Sequence, residues 1–333
     1  MLDNVDGAFH DPVFLTAMFG GRWRRYRSAS PHGSFHHTPV LQPIGSTGYY
    51  CAEAWRGYAE PAVPTDRARV REAFISYSSW CSQQSLVCEL LRLDPLGKLR
   101  ALADDIPNGR IVDGQPVAVL DTPSDMDHYR AQLPAACRRS LRSAERRLEA
   151  RIIAPSELSS LTAAATLHAE TLRRVRAADK WFVQATDLQS LSTLPGFMNI
   201  GVFNRSTGKI ASFAGCLIES GRLHILLVGN DLLTDSKGAS DLLYEAIVAC
   251  AVESGTTARP IHRIYFGGGR SLGGGDSLMR FKLKFSLGRA VPCTYLALVH
   301  DPAAAARLSV SFERGPSSEP LSEVQRTCFP FLS

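Results

Sequence analysis

The chain is short of the features that disclose a function directly. Among its 333 residues no apolar run approaches the ~20 residues of a membrane-crossing helix, which argues against membrane insertion. The opening MLDNVDGAFHDP is acidic and lacks the basic-then-apolar order of a signal peptide, so a cytoplasmic protein is expected. Eight cysteines stand singly at 51, 81, 88, 137, 216, 250, 293 and 328, and none forms CxxC. That excludes a zinc ribbon and a thioredoxin motif, leaves no metal site in view, and points to reduced, mostly buried thiols. A P-loop is excluded because GKS and GKT are missing. The GxSxG of serine hydrolases is missing too, no Cys/His arrangement suggests a nucleophile, and no pair of carboxylates stands out for acid–base work. Neither a heptad run nor a short-period repeat occurs. Charge of one sign is scarce: 37 Lys and Arg face 32 Asp and Glu, and a net +5 cannot by itself argue for nucleic acid.

What is present is a globular composition, 45% hydrophobic and 21% charged. At roughly 150 residues per domain the length suggests two domains, and it suffices to bury a core without disulfides or metal. Early in the chain Arg22, Arg24, Arg25 and Arg27 interleave with Trp23 and Tyr26, and a turn follows at Pro31 to Ser34. Pro39 to Ile44 is a short strand or a turn of helix. Val70, Phe74, Tyr77 and Cys81 fall at helical spacing, which predicts a helix over 68–84. Strands are expected at 85–93 and at PVAVLDT, with a turn signal at IVDG, 111–114, between them. A helix capped by Ser124 or Asp125 runs to about 133. Another is expected over 135–150, with Leu141, Ala144 and Leu148 as its apolar stripe. Six Arg and two Glu between Arg138 and Arg151 hold +4 of the net charge. RIIAP, 151–155, closes the first half as a strand.

The second half begins with a helix over 156–179, capped by Ser156 and carried on to Trp181. FMNIGVF and IASFAGCLI form a hairpin across NRSTGK, and RLHILLVGN is a third strand. A helix at 241–255, the strand HRIYFGGG, the helix SLMRFKLKF opened by Asp276, and the strand AVPCTYLALVHD follow. GPSSEP leads a tail that ends in an aromatic patch. Strand meander followed by strand–helix–strand predicts an α/β fold with mixed sheets. The expected domains are 1–153 and 154–333.

Four segments carry chemistry. GGGRSLGGGDS, 267–277, lies between a strand and a helix start, where backbone N–H groups can cradle a ligand; its glycines are equally suited to a loop with positive φ. In the helix after it Leu278, Phe281 and Phe285 share a face, and Lys282 points along it. A lysine there is either snorkelling or placed as a fixed charge. The helix bearing Arg138, Arg139, Arg142 and Arg146 is either a nucleic-acid footprint or a solvated face. Arg173, Arg174 and Arg176, near Trp181, form a smaller cluster open to the same two readings. His168, Glu170 and Thr171 sit on the preceding helix, where a lone histidine is either a packed core residue or part of a site.

LHAETLRRVRAADKWF, the hairpin around NRSTGK, VGND before LLYEAIVACAVESG, and YFGGG followed by DSLMRFKLKF occur in the order that resembles the FemABX branch of the GNAT-like acyltransferases. ELLRLDPL and CRRSLRSAERR add weaker likenesses, and the resemblance covers about 85–300. It implies two GNAT-like domains packed side by side, acting as a monomer without a cofactor. It implies transfer of an aminoacyl group from aminoacyl-tRNA to an amine of a wall precursor or small peptide. Relatives in peptidyl-nucleoside antibiotic assembly, such as the pacidamycin alanyl transferase, do so on a small peptide, which suggests alanine as cargo. By the same resemblance Lys282 stabilises the oxyanion and Phe281 holds the terminal adenosine. His168, Thr171, Arg173, Trp181, Gly268, Gly269 and Asp276 then fall to the substrate, and Arg138, Arg139, Arg142 and Arg146 to the tRNA. Two features depart from relatives. The acetyl-CoA signature [QR]xxGx[GA] is missing from VGNDLLTDSKGAS, and WRGYAEP at 55–61 replaces a GYGG stretch, which leaves room for a smaller acceptor. An acyl-CoA-dependent N-acyltransferase and a non-catalytic RNA-binding or scaffold protein are the alternatives.

Overall fold

The structure is a computed structural model that describes residues 7–30, 33–53, 57–232, 236–257, 259–270, 275–311 and 323–332. The acidic start, the first half of the 31–34 turn, Trp55 and Arg56, residues 271–274 of the glycine loop and the GPSSEP segment lie outside the described residues. In chain order the strands are β1 (Tyr26–Ser30), β2 (Gly33–His37), β3 (Leu41–Pro43), β4 (Tyr50–Glu53), β5 (Leu86–Arg92), β6 (Gly109–Asp113) and β7 (Val117–Asp121). They continue as β8 (Leu148–Ile153), β9 (Phe197–Asn204), β10 (Ile210–Glu219), β11 (Arg222–Asn230), β12 (Arg263–Gly267), β13 (Ala290–Val291) and β14 (Thr294–Val299). The α-helices are α1 (Pro12–Phe19), α2 (Arg67–Gln83), α3 (Leu99–Leu102), α4 (Met126–Gln132), α5 (Ala135–Glu145) and α6 (Leu158–Arg174). After them come α7 (Ala185–Leu191), α8 (Ala239–Glu253), α9 (Ser277–Phe285), α10 (Pro302–Ser311) and α11 (Glu323–Cys328).

The fold is mixed α/β, and the chain forms two compact units. One comprises Met1–Met18 and Pro116–Val291, the other Phe19–Gln115 and Pro292–Ser333. The boundary expected at 153/154 is therefore corrected. β7 pairs with β12 and β13, and β8 pairs with β9, so the whole stretch 117–153 belongs with the later strands. AVPCTYLALVHD is not one strand: β13 ends the sheet of the first unit, while β14 lies in the sheet of the second.

The first unit holds a seven-stranded sheet in the order β13-β7-β12-β11-β10-β9-β8. All its pairs are antiparallel except β11 and β12, which α8 joins as a crossover. The core gathers Leu243, Tyr244 and Ile247 of α8, Leu141 and Ala144 of α5, and Met279 and Phe285 of α9. Tyr129 of α4 is fully buried and its hydroxyl donates to the Phe285 carbonyl at 2.9 Å, satisfying a polar group that burial would otherwise penalise. The second unit holds a five-stranded sheet, β3-β4-β5-β14-β6, and the two-stranded β1–β2. Val70, Phe74, Tyr77 and Cys81 form the buried stripe of α2, as their spacing predicts. Its parallel pair, β4 with β5, is again joined by a helix.

Several element boundaries move. The turn signal at 111–114 yields to β6, because β14 supplies a pairing partner for residues 109–113. The helix expected over 135–150 stops at Glu145, and Leu148 opens β8 rather than closing the helical stripe. The helix expected from Ser156 begins at Leu158, next to Glu157, whose carboxylate accepts from the Ala154 N–H at 2.9 Å. It ends at Arg174, short of Trp181, and α7 was not predicted. All eight cysteines are free thiols, seven buried and Cys250 half-buried. Among the described residues no helix is long and apolar enough to cross a membrane.

Candidate active site

β11 and β12 are partners only at their starts. The parallel ladder joins Arg222, Leu223 and His224 to Arg263, Ile264 and Tyr265, and goes no further. β11 continues to Asn230 and β12 to Gly267, so the sheet forks. In the second unit all four residues of β4 pair with β5. His224 stands at the crotch, stacked on Tyr265 with ring centroids 4.9 Å apart. Burial, and secondarily the Arg222 charge, brings its pKa down to about 3, so this imidazole is neutral at neutral pH.

A forked strand carries backbone groups that need other partners. Helix α6 supplies them. His168, buried, bonds through Nδ1 to the Val228 carbonyl at 2.8 Å; a carbonyl only accepts, so Nδ1 carries the proton. Thr171 Oγ1 accepts from the Asn230 N–H at 2.9 Å and donates to the Asn230 carbonyl at 3.4 Å. Arg174 adds a bond to that carbonyl at 3.2 Å. Gly229 allows the helix to lie this close, since a Cβ there would sit 2.7 Å from the His168 nitrogen. The Asn230 side-chain oxygen in turn accepts from Ser212 at 2.6 Å and Ser240 at 2.8 Å. His168 and Thr171, expected at the substrate, hold the edge of β11.

On the other side of the fork stands Lys282. The buried face of α9 is Met279, Lys282 and Phe285; Leu278 and Phe281, expected on it, lie on its flank. Lys282 is only 9% exposed, and its ammonium donates to the Gly268 carbonyl at 2.7 Å. That places the charge just beyond the last residue of β12, at the mouth of the fork. Gly267 has φ +86°, and a Cβ there would lie 3.1 Å from Nζ, so the glycine makes room for the charge. Asp276 closes the base of the glycine loop. One carboxylate oxygen accepts from the Leu278 and Met279 N–H groups at 2.9 and 3.0 Å, and the other from the Arg270 N–H at 2.6 Å. It caps α9 and holds the Arg270 N–H. Gly269 has no room for a side chain against that carboxylate. Phe281 packs edge-on to Tyr244, centroids 4.9 Å apart, with Lys284 4.4 Å from its ring centre.

No family model matches the chain, and no curated protein matches its sequence. Solved structures do match. FemX superposes with a TM-score of 0.60 over 87% of this chain and 90% of its own, at 11% identity. The DUF2156 domain from Agrobacterium fabrum, named as the C-terminal part of a lysylphosphatidylglycerol synthetase, gives 0.57 at 16% identity over 89% and 88% of the two chains. L-PGS from Bacillus licheniformis gives 0.54 at 16% identity over 85% and 86%. The chain has the fold of FemX.

Within this FemX fold the remaining predicted residues separate into two groups. Arg138 is diverted to α4, donating to the Ala131 and Leu133 carbonyls at 2.8 and 2.6 Å, so it closes a helix end. Arg139, Arg142 and Arg146 remain exposed, spaced along one face of α5 and the residue after it. Arg173 lies 5.8 Å from the Phe182 ring, and Lys180 lies 5.5 Å from the half-buried Trp181 ring. A groove of about 500 Å³ follows α6 along Ser159, Ala163, Thr166 and Glu170, floored by Phe203 and ending at Asp231, the residue after β11. Nothing in the linear pattern marks His224, because it matters only through the strand it faces. Among the described residues no three His, Cys, Asp or Glu side chains are grouped to hold a metal ion.

Proposed function

We propose that the protein is an aminoacyltransferase that takes an amino acid from aminoacyl-tRNA and forms an amide on an amine. The observation that carries this reading is the buried Lys282 ammonium, pinned by the Gly268 carbonyl at the fork of β11 and β12. The amine attacks the ester carbonyl carbon; the C–N bond forms and the carbonyl oxygen takes the negative charge. Lys282 stabilises that oxyanion from a position it already holds, so little reorganisation is needed. The intermediate collapses with cleavage of the C–O bond, and the ribose oxygen takes the proton released by the attacking nitrogen. An ester donor makes orientation and charge stabilisation sufficient, with no covalent enzyme intermediate.

FemX-fold proteins support the acyl-transfer class, and the lysylphosphatidylglycerol synthetase is named for joining a lysyl group to phosphatidylglycerol. The groove along α6, lined by Glu170, Asp231 and Lys209, is the candidate place for the acceptor. Arg139, Arg142 and Arg146 suit the acceptor stem, where backbone rather than sequence is met. A peptide or peptidyl nucleoside fits the loss of GYGG, and alanine is the cargo we would test first.

The test is transfer of label from a mixed radiolabelled aminoacyl-tRNA pool to wall precursors, short peptides and peptidyl nucleosides. Transfer should be RNase-sensitive and fall by about 10²–10³ in Lys282→Ala. Retention of an acyl-CoA with no transfer from RNA would replace this reading with the acyl-CoA one. Transfer undiminished in Lys282→Ala would remove the lysine from the mechanism.

A further inference from the structure

The segment between α6 and α7 ends its helix in an unfavourable way. The Arg176 N–H reaches the Arg173 carbonyl at 3.0 Å and the Ala177 N–H reaches the Leu172 carbonyl at 3.0 Å, which is a left-handed helix stop. The stop residue is Arg176, at φ +53°. Glycine or asparagine is the residue usually found there, and an L side chain is strained. Arg176 is exposed, and its guanidinium gains no hydrogen bond or ion pair among the described residues. Its charge therefore stands at a position where folding alone favours glycine.

The surroundings are equally one-sided. Arg173, Arg174, Arg176 and Lys180 face a single carboxylate, Asp179, within ten residues. Two of these cations lie against aromatic rings, Arg173 by Phe182 and Lys180 by Trp181. Arg174 bonds to the Asn230 carbonyl, so the segment is tied to the open end of β11. Cations interleaved with half-buried rings make the platform on which single-stranded nucleic acid lies, phosphates on the cations and bases on the rings. Helix α5 offers arginines without any aromatic residue, which suits a duplex backbone.

We infer that Arg173–Phe182 is a binding platform for the single-stranded 3′ end of an RNA, beside the fork. This rests on the aminoacyl-tRNA reading and adds where the unpaired nucleotides lie. The test uses the full chain and two labelled RNA hairpins, one with a four-nucleotide 3′ overhang and one blunt, titrated by fluorescence anisotropy at several salt concentrations. Arg176→Gly should raise the melting temperature, weaken the overhang hairpin several-fold, and lower its salt slope by about 0.7, while leaving the blunt hairpin unchanged. Trp181→Leu should weaken the overhang hairpin roughly tenfold. Arg173→Ala with Lys180→Ala should repeat the overhang-selective loss and guards against misfolding of either single variant. Equal losses on both hairpins, or a stabilised Arg176→Gly that binds the overhang normally, would overturn the platform. If those variants also transfer from aminoacyl-tRNA at the wild-type rate, the platform fails and the transferase reading stands. If the wild type binds neither hairpin and transfers nothing, both fail.

Discussion

Lys282 is fixed and nearly buried, and the residues around it accommodate its ammonium. Its ammonium is anchored on the Gly268 carbonyl, and Gly267 leaves the space beside it. Gly267→Ala should cost about 1 kcal/mol from the positive φ alone. The new methyl 3.1 Å from Nζ should also displace the charge, so transfer should fall further than the stability loss explains. Comparing the melting temperature with the transfer rate checks this; an unchanged rate would mean that Nζ is not held at the reacting oxygen. Asp276→Ala removes the carboxylate that accepts from three N–H groups and should destabilise by about 1–2 kcal/mol, with Asp276→Asn recovering part of it, read from urea unfolding. The lysine was legible because a cation at i+4 from Leu278 stands out in an apolar helix. Its face was not legible: which of Leu278 or Met279 points inward depends on the crossing of α9 over the sheet, and spacing alone cannot supply that.

A strand that leaves its neighbour must be held by something else, and α6 does this for β11. Thr171→Val keeps the shape and removes the hydroxyl that accepts from the Asn230 N–H. The expected loss is about 1 kcal/mol, concentrated in faster hydrogen exchange at 228–231, with the hairpin β9–β10 unaffected. Exchange that rises evenly across the sheet would show that Thr171 is only one packing contact among many. At this scale the sequence was readable where an element satisfies itself. The stripe of α2 and the turn at Asn204, whose side chain accepts from the Ser206 and Thr207 N–H groups, are local and were predicted. It was unreadable where an element borrows its partner. β8 lies at the sheet edge, so its exposure pattern is irregular and its first leucine passed for the end of α5. β6 passed for a turn because its partner β14 lies nearly two hundred residues away.

The chain leaves its second unit at residue 115 and returns at 292, and the return brings β14 to the middle of a sheet, between β5 and β6. No local pattern announces this, which is why the domain boundary was misplaced. The returning segment is also locked by charge. Glu89 of β5, fully enclosed, accepts from Tyr77 at 2.7 Å, and His37 and His300 approach it at 2.8 and 3.4 Å. Burial alone would raise this carboxyl; the His37 charge and the bonds from His300 and His37 outweigh it and hold the group well below the carboxylate range. A carboxyl depressed in the folded state contributes stability that is fully present above its unfolded value, ordinarily 4.5, and is lost as pH falls below it. The second unit should therefore lose its urea midpoint progressively from about pH 4.5 downward. Glu89→Gln removes the carboxylate that Tyr77, His37 and His300 converge on. It should destabilise by roughly 3–5 kcal/mol at pH 7 and show a flatter profile below pH 4.5. Parallel profiles for wild type and variant would mean that another group drives the acid transition and that the Glu89 cluster does not hold the returning segment.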